Sequence, residues 1–434
     1  MFDARLDRRQ VFLGSGALAL LPGAAAHARG DYAQQLVEGY KRAFPNVSIL
    51  ARLYMRNGKL PGVAAALGMQ AGRPIFVSEG KQAFDNPVPM SPDSLFRIYS
   101  MTKPITGMAT MLLVEDGKLK LDQNVADFIP GFAKPMVALD PVNSLASRPA
   151  ARPITIRNLL THTAGLSYII SAKGALLAEY VRLGLSGDRV SRFPLPGVAK
   201  LTPAPSLGAF ADRIATVPLI AEPGTRWSYS AGLDVLGAVI ERASGMPYER
   251  FLQTRLFGPL GMTSTFFTVP KSELGRMTTN YGIVNGKPVP IDPGATTIFS
   301  DPPAFPAGGG GLVSSPRDYD RFLQMLAGGG AIGGVRVMQE ATARLAMSNL
   351  LPPGADTKGT LVDGQGFGAG GRVTLNGRDR FGAGPGTYGW GGAAGTVAWI
   401  DPSRGVRASG FVQYMPPDSL PFGREFGAAV YASL

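Results

Sequence analysis

The stretch Phe96-Arg97-Ile98-Tyr99-Ser100-Met101-Thr102-Lys103 is the segment from which the fold can be inferred. Apolar residues recur at helical spacing after it, and Gly117 suits a helix C-terminus, so the sequence predicts a helix over residues 103–116. At such a helix, Ser100 and Lys103 face the same side because they are three residues apart. A serine hydroxyl is a weak nucleophile alone, and a neighbouring lysine can accept its proton or hold another base in its charged form. The pair is therefore a candidate nucleophile with a proton partner.

The Ser–x–x–Lys spacing alone is a weak signal, because Ser78-Glu79-Gly80-Lys81 has the same pattern. Ser78 ends a predicted strand, where side chains three residues apart point to opposite faces. Ser100 instead precedes a helix, and Pro104 fits the start of that helix because the first turn tolerates proline. The sequence favours Ser100, with an ordinary surface turn at a helix start as the alternative.

Two further segments have the composition of a reactive site. Pro223-Gly224-Thr225-Arg226-Trp227-Ser228-Tyr229-Ser230-Ala231 places a tyrosine just before a predicted helix over residues 232–244, and beside an ammonium group Tyr229 is a candidate general base. Tyr388-Gly389-Trp390-Gly391-Gly392-Ala393 precedes a predicted strand; its glycines permit close approach of a ligand, and Trp390 offers an apolar wall. The alternatives are an ordinary helix-cap tyrosine and a glycine-rich hairpin corner.

Composition excludes several kinds of chemistry. The 434 residues contain no Cys, which rules out disulfides, thiol nucleophiles and Cys-ligated metals. The two histidines, His27 and His162, are too few for a His-rich zinc site. We therefore expect no metal and no cofactor, although a carboxylate-only metal site is not excluded. The net charge of +12 comes from scattered basic residues without a nucleic-acid motif, so we expect no nucleic-acid partner.

A Ser-His-Asp hydrolase is the main alternative for a serine enzyme. The Gly-x-Ser-x-Gly nucleophile elbow is absent from the sequence. His162 lies in Leu159-Leu160-Thr161-His162-Thr163-Ala164-Gly165-Leu166, where we expect structural hydrogen bonding, with a direct catalytic role as the alternative.

Residues 1–28 have the pattern of an export signal. Arg8-Arg9 precede an apolar stretch, and Ala26-His27-Ala28 fits a small-residue cleavage site, as in twin-arginine signals. The apolar stretch is shorter than the ~20 residues of a membrane span. We expect an exported, periplasmic protein without a stable membrane span, and an amphipathic helix or a single anchor is the alternative.

The order of the predicted elements indicates an α/β (α+β) fold. Strand-like segments lie near both ends of the chain, with turn signals between them, and helical patterns fill the middle. The economical arrangement is one antiparallel sheet built from both ends, flanked by helices, with a mostly helical insertion. This interpretation divides the chain into a discontinuous α/β domain, residues 30–125 and 275–434, and a helical domain, residues 126–274.

The order and separations of the three motifs resemble the serine β-lactamase and penicillin-binding-protein superfamily in its class C branch. The chain is most similar to the family VIII carboxylesterases, and the resemblance extends from about Gly62 to the C-terminus. It includes the Ser100 and His162 segments, Tyr229-Ser230 with Val235-Leu236-Gly237, Pro306-Ala307-Gly308-Gly309, and Trp390-Gly391-Gly392. It implies a β-lactamase/transpeptidase-like fold and an acyl-enzyme mechanism.

The resemblance also implies a role for each matching residue. Ser100 would be the acylated nucleophile, with Lys103 hydrogen-bonded to it and keeping the site cationic. Tyr229 would take the serine proton and pass it to the leaving group. The backbone N–H groups of Ser100 and Ala393 would form the oxyanion hole. The substrate would be bound by Tyr388, Trp390, Gly391 and Gly392.

Two departures from the lactamase pattern concern the substrate. β-Lactamases of this class have Tyr–x–Asn where this chain has Ala231, and Lys–Thr–Gly where it has Trp390-Gly391-Gly392. Without that lysine, a substrate carboxylate would be desolvated without a partner. We therefore expect a serine carboxylesterase acting on neutral, short-chain esters. The alternatives are a β-lactamase or D-amino-acid peptidase, an acyltransferase using the same acyl-enzyme, and a non-catalytic binding or sensor protein.

Overall fold

The computed structural model describes residues 43–195, 201–377 and 382–434. Phe44–Leu434 forms one compact unit. The proposed export signal, residues 1–28, lies outside the described residues. Within the described ranges, no helix is both long enough and apolar enough to cross a membrane.

The described strands are mostly short. In chain order they are β1 Gly62–Met69, β2 Ile75–Gly80, β3 Phe96–Arg97, β4 Met136–Ala138, β5 Ser147–Pro149, β6 Asn280–Val284, β7 Lys287–Asp292, β8 Val313–Ser314, β9 Ala331–Ile332, β10 Val335–Arg336, β11 Gly366–Phe367, β12 Arg372–Val373, β13 Tyr388–Gly391, β14 Val397–Asp401, β15 Val406–Phe411 and β16 Tyr414–Met415.

The α-helices cluster in the middle and at the two ends of the described chain. In order they are α1 Pro45–Arg56, α2 Thr102–Glu115, α3 Ile156–Leu160, α4 Gly174–Leu183, α5 Leu207–Ile214, α6 Gly232–Ser244, α7 Tyr248–Leu252, α8 Gly258–Leu260, α9 Pro316–Ala327, α10 Glu340–Met347 and α11 Phe422–Tyr431. Single 3-10 turns and one π-helical segment, Gln253–Phe257, connect several of them.

The main sheet of the described residues joins both ends of the chain, as predicted. Seven strands lie in the order β11-β12-β13-β14-β15-β1-β2, and each neighbouring pair is antiparallel. In β15, Arg407 reaches Asp320 of α9, whereas a side chain at Gly410 would meet Phe426 of α11. Since positions 407 and 410 point to opposite faces of the strand, α9 and α11 cover opposite faces of the sheet.

Helix α2 is a buried helix, and the candidate site lies at its N-terminal end. Its residues from Thr102 to Leu113 are all buried, so it is a core helix rather than an amphipathic surface helix. It packs against α6, whose bounds match the predicted 232–244 and which ends at Gly245 with a φ of 72°, a left-handed conformation that suits glycine.

Local details differ from the sequence prediction in two places. Helix α2 begins at Thr102, one residue early, and a 3-10 turn over Tyr99–Met101 precedes it. The proline-rich pattern of residues 132–153 is typical of a loop, but these residues contain the antiparallel pair β4 and β5, in which Pro149 ends its strand and so tolerates the missing N–H. The division of the chain near residues 126 and 274 stays a prediction.

Candidate active site

Ser100 and Lys103 meet at the start of α2. Ser100 lies in the 3-10 turn that leads into the helix, and its Oγ is 3.0 Å from the Lys103 Nζ. Ser100 is half-buried, whereas Lys103 is 0% exposed. Ser100 is therefore partly open to solvent, whereas the Lys103 side chain behind it is shielded from water.

The buried Lys103 amine is held by an oxygen and two aromatic faces. Its Nζ donates a hydrogen bond of 2.6 Å to the carbonyl of Gly309. The Nζ also lies 4.6 Å from the ring centroid of Tyr229 and 5.3 Å from that of Tyr168. Because a buried cation is costly without partners, these contacts keep the amine fixed beside Ser100.

Tyr229 approaches the same serine from the loop that precedes α6. Its hydroxyl donates to the Ser100 Oγ at 2.7 Å, and the indole Nε1 of Trp390 donates to the Tyr229 oxygen at 3.4 Å. The Tyr229 ring is packed between Trp227, 6.0 Å away and stacked, and Trp390, 5.7 Å away and tilted. The phenol is thus fixed by its ring contacts while its oxygen faces the nucleophile.

His162 lies behind Tyr229 rather than beside Ser100. Its ring is 4.9 Å from the Tyr229 ring, and its Nδ1 accepts the Ser230 backbone N–H at 3.2 Å and contacts the Ser230 hydroxyl at 2.9 Å. Burial, followed by the charge of Lys103, holds the pKa of His162 well below 6.5. His162 is therefore neutral and makes the structural hydrogen bonds expected for it.

Strand β13, which ends at Gly391, lies against the 3-10 turn Tyr99–Met101 that carries Ser100. A Cβ at Gly392 would lie 2.4 Å from the Ile98 carbonyl oxygen, so only glycine allows this backbone approach. Ala393 packs in the same apolar cluster as Tyr99, next to Ser100. The Gly392–Ala393 segment therefore packs against residues that flank Ser100.

Tyr388 is not brought into this group, which corrects its assignment to the substrate-binding surface. Its side chain is 2% exposed and lies in the core, and its hydroxyl donates to the Ala369 carbonyl at 2.6 Å. Side chains alternate along a strand, so Tyr388 and Trp390 share a face of β13. Tyr388 nevertheless sits two residues further inside, where the core has closed over it.

Sequence reasoning missed the polar groups behind the amine. Asp234 of α6 is buried and accepts the Gly309 N–H at 2.7 Å. Tyr168 donates to Asp188 at 3.1 Å, and burial, followed by the Asp188 charge, raises the Tyr168 pKa well above 10. The available signal was a carboxylate on the apolar face of the helix over residues 232–244.

The geometry is that of a class of protein in which a serine hydroxyl lies within hydrogen-bonding distance of a lysine and a tyrosine, on a fold of the β-lactamase and penicillin-binding-protein type. The sequence matches the Beta-lactamase family over residues 47–432, so the chain belongs to that family.

Three similar proteins narrow this class. Esterase EstB of Burkholderia gladioli is 33% identical, over 73% of this chain and 77% of its own length. Lovastatin esterase of Penicillium rubens is 30% identical, over 76% and 82%. The solved structure of EstCE1, described as a hydrolase with promiscuous acyltransferase activity, is 28% identical over 90% of this chain and 99% of its own, with a TM-score of 0.73. The chain is a serine hydrolase of this family, an acyl-enzyme hydrolase or acyltransferase.

Proposed function

We propose that the protein is a serine carboxylesterase that hydrolyses neutral, short-chain esters through an acyl-enzyme on Ser100. The observation that carries the proposal is the position of the Ser100 Oγ, 3.0 Å from the Lys103 Nζ and 2.7 Å from the Tyr229 hydroxyl. A hydroxyl between two proton-handling groups has what a weak nucleophile needs for activation.

In the proposed acylation step, Tyr229 reacts as the phenolate with Lys103 as its counter-charge, and the Ser100 Oγ attacks the ester carbonyl carbon while its proton passes to that phenolate oxygen. The carbonyl oxygen becomes an oxyanion bound by the backbone N–H groups of Ser100 and Ala393. Tyr229 then gives the proton to the alcohol oxygen as the carbon–oxygen bond breaks, which leaves an ester of Ser100. Lys103 stays cationic and stabilises the negative charge that develops during both transfers.

In the proposed deacylation step, water attacks the acyl-enzyme and loses its proton to the Tyr229 phenolate, with the Lys103 ammonium as the counter-charge. The new bond joins the water oxygen to the acyl carbon, and Ser100 leaves with the returned proton. The same two groups thus serve both half-reactions, as microscopic reversibility requires.

The preference for neutral substrates is supported by the groups at positions 231 and 390. Trp390 presents a half-buried indole, and Ala231 is 1% exposed, so neither offers a cation or an amide to a substrate carboxylate. The Lys103 amine is buried and engaged with the Gly309 carbonyl. A carboxylate in this cleft would lose its hydration without gaining a charged partner.

Acyl transfer is the second candidate function. EstCE1, at 28% identity over nearly its whole length, is described as having promiscuous acyltransferase activity. An alcohol could attack the Ser100 ester in place of water by the same proton transfers. Product analysis with a short alcohol present separates the two fates, because transfer yields a new ester and hydrolysis yields only the acid.

The test compares p-nitrophenyl acetate and butyrate with a chromogenic cephalosporin on the purified enzyme. We expect ester turnover with little lactam hydrolysis, and loss of ester turnover in Ser100→Ala. Ser78→Ala is the matched control, because Ser78 has the same spacing to Lys81 but lies in β2. Strong lactam turnover with weak ester turnover, or full activity in Ser100→Ala, would refute the proposal.

We further propose that the enzyme acts after export by the twin-arginine route. The paired Arg8 and Arg9 before an apolar stretch support this proposal. Replacing both with lysine should leave esterase activity in the cytoplasmic fraction of a bacterial host, whereas the unaltered chain should reach the periplasm. Equal periplasmic activity from both chains would contradict this route.

A further inference from the structure

The carboxylate of Asp234 lies two hydrogen bonds from the Lys103 amine. Its Oδ1 accepts the Gly309 N–H at 2.7 Å, and the Gly309 carbonyl accepts a hydrogen bond from the Lys103 Nζ at 2.6 Å. Asp234 is 4% exposed and Lys103 is 0% exposed. Both ends of this connection are shielded from water, where hydrogen bonds and charge interactions are stronger than at the surface.

Gly309, which connects Asp234 to Lys103, has no room for a side chain. A Cβ at Gly309 would lie 2.6 Å from the Asp234 Oδ2. The preceding Gly308 carbonyl accepts from the Thr106 hydroxyl of α2 at 2.6 Å. The glycine segment is therefore held by α2 on one side and by Asp234 of α6 on the other. Without Asp234, the buried Gly309 N–H would lose this acceptor.

Packing alone does not account for a carboxylate at this position. The residues of α6 from Gly232 to Ile240 are all buried, and the others among them are apolar or glycine. A buried carboxyl group lowers the free energy of unfolding unless its partners compensate for lost hydration. An apolar residue would fill the same face of α6 at less cost, so the carboxylate needs another reason.

We infer that Asp234 is a positioning residue that fixes Lys103 beside Ser100, and that it acts through Gly309. This inference rests on the proposed role of Lys103 in acylation. Asp234 sets the place of the Gly309 residue, the Gly309 carbonyl sets the place of the Lys103 Nζ, and the Nζ sets the hydrogen bond to Ser100.

The Asp234 carboxyl group is harder to ionise than an exposed aspartate. Burial is the main reason that the pKa of Asp234 is raised to about 7; the Asp188 charge adds to it, and Lys103 and the Gly309 N–H oppose it. The titratable groups that face Asp234 are Lys103 of α2, Asp188 after α4, Tyr168 after α3 and Tyr248 of α7.

Two substitutions at Asp234 separate its role as a hydrogen-bond acceptor from the effect of its negative charge. Asp234→Asn keeps an oxygen that accepts the Gly309 N–H, whereas Asp234→Leu removes it at similar volume. Asp318→Asn and Asp318→Leu are matched controls. Asp318 of α9 is also buried, at 2% exposure, and accepts a backbone N–H, that of Ser264, at 2.6 Å.

The readouts are kcat and KM for p-nitrophenyl butyrate and the thermal midpoint. We expect Asp234→Leu to lower kcat by about 10²-fold with little change in KM, because a small displacement of a reactive group has effects of that order. Asp234→Asn should recover most of kcat. The Asp318 variants should lower the thermal midpoint and leave kcat unchanged.

Wild-type kcat in a folded Asp234→Leu variant, or an equal loss of kcat in Asp318→Leu, would overturn the inference. Should Asp234→Leu fail to fold, Gly309→Ala decides: its Cβ would lie 2.6 Å from the Asp234 Oδ2, so the Gly309 carbonyl must shift and kcat should fall, and an unchanged kcat in that folded variant overturns the inference. The Lys103→Ala variant distinguishes a failure of this inference from a failure of the proposed function. Near-normal activity there refutes the proposed function itself, whereas an inactive Lys103→Ala with an active Asp234→Leu refutes this inference alone.

Discussion

The Tyr229 hydroxyl lies 2.7 Å from the Ser100 Oγ, although 129 residues separate them in the chain. The contact depends on the packing of α2 against α6, because Ser100 leads into α2 and Tyr229 leads into α6. Two helix starts that face each other thus assemble the candidate site. Groups placed on packed helices keep their geometry better than groups on free loops.

Tyr229→Phe should remove proton transfer and keep the fold. The phenylalanine ring retains the contacts with Trp227 and Trp390, so the thermal midpoint should change little. General acid–base catalysis contributes about 10²–10⁴-fold, and kcat should fall by that order. The measurement is ester turnover together with labelling of Ser100 by a serine-directed phosphonate. Turnover within a few-fold of the parent enzyme would remove Tyr229 from the mechanism.

Trp390→Phe should separate the apolar surface that the Trp390 ring provides from the hydrogen bond that its indole donates to Tyr229. Phenylalanine keeps an apolar ring near Tyr229 and Phe367 but lacks the Nε1 that donates to the Tyr229 oxygen at 3.4 Å. A neutral hydrogen bond contributes about 0.5–1.5 kcal/mol, so we expect a loss of about 2- to 10-fold in kcat with similar KM for short esters. A rise in KM alone would mean that the indole serves only as a binding surface.

Gly392→Ala should disturb the oxyanion hole through the backbone. The new Cβ would lie 2.3 Å from the Thr396 Oγ1 and 2.4 Å from the Ile98 carbonyl, so the turn that carries Ala393 must shift. Loss of one oxyanion donor costs about 10²–10³-fold in kcat. Gly275→Ala is the matched control, because a Cβ there would meet nothing within 4 Å and the residue lies outside the candidate site. Equal kcat in the two variants would place the oxyanion donor elsewhere.

The sequence predicted much of the fold because its signals were local. The periodicity and Gly245 determine α6, and the turn Asp401-Pro402-Ser403-Arg404-Gly405 lies between β14 and β15 as expected from its turn residues. The three motif residues Ser100, Lys103 and Tyr229 meet as their order in the chain implied. Their proximity was predicted from the resemblance to a known family, because no local sequence pattern indicates that residues 129 positions apart are in contact.

The remaining features depend on tertiary packing. Asp234 is a single carboxylate on an apolar helix face, and only the approach of Gly309 shows what it contacts. Tyr388 belongs to a glycine-rich motif that suggested a surface, but its side chain is buried against Gly371 and its hydroxyl donates to the Ala369 carbonyl. Burial of individual side chains is set by neighbours distant in sequence, which a motif does not specify.

His162→Gln should change the pH dependence of stability. The pKa of His162 in the folded protein lies well below 6.5, so the unfolded chain binds a proton that the folded one does not as pH falls through that range. Stability therefore decreases with falling pH, by up to about 1.4 kcal/mol per pH unit for one such group. Glutamine loses this proton linkage and also the ring contact with Tyr229.

The variant should be less stable than the parent at pH 7.5, and the difference in free energy of unfolding should shrink at pH 5.5. Urea unfolding at both pH values measures it. A difference independent of pH would show that His162 is protonated equally in both states, and a folded but inactive variant at pH 7.5 would return the histidine to the mechanism.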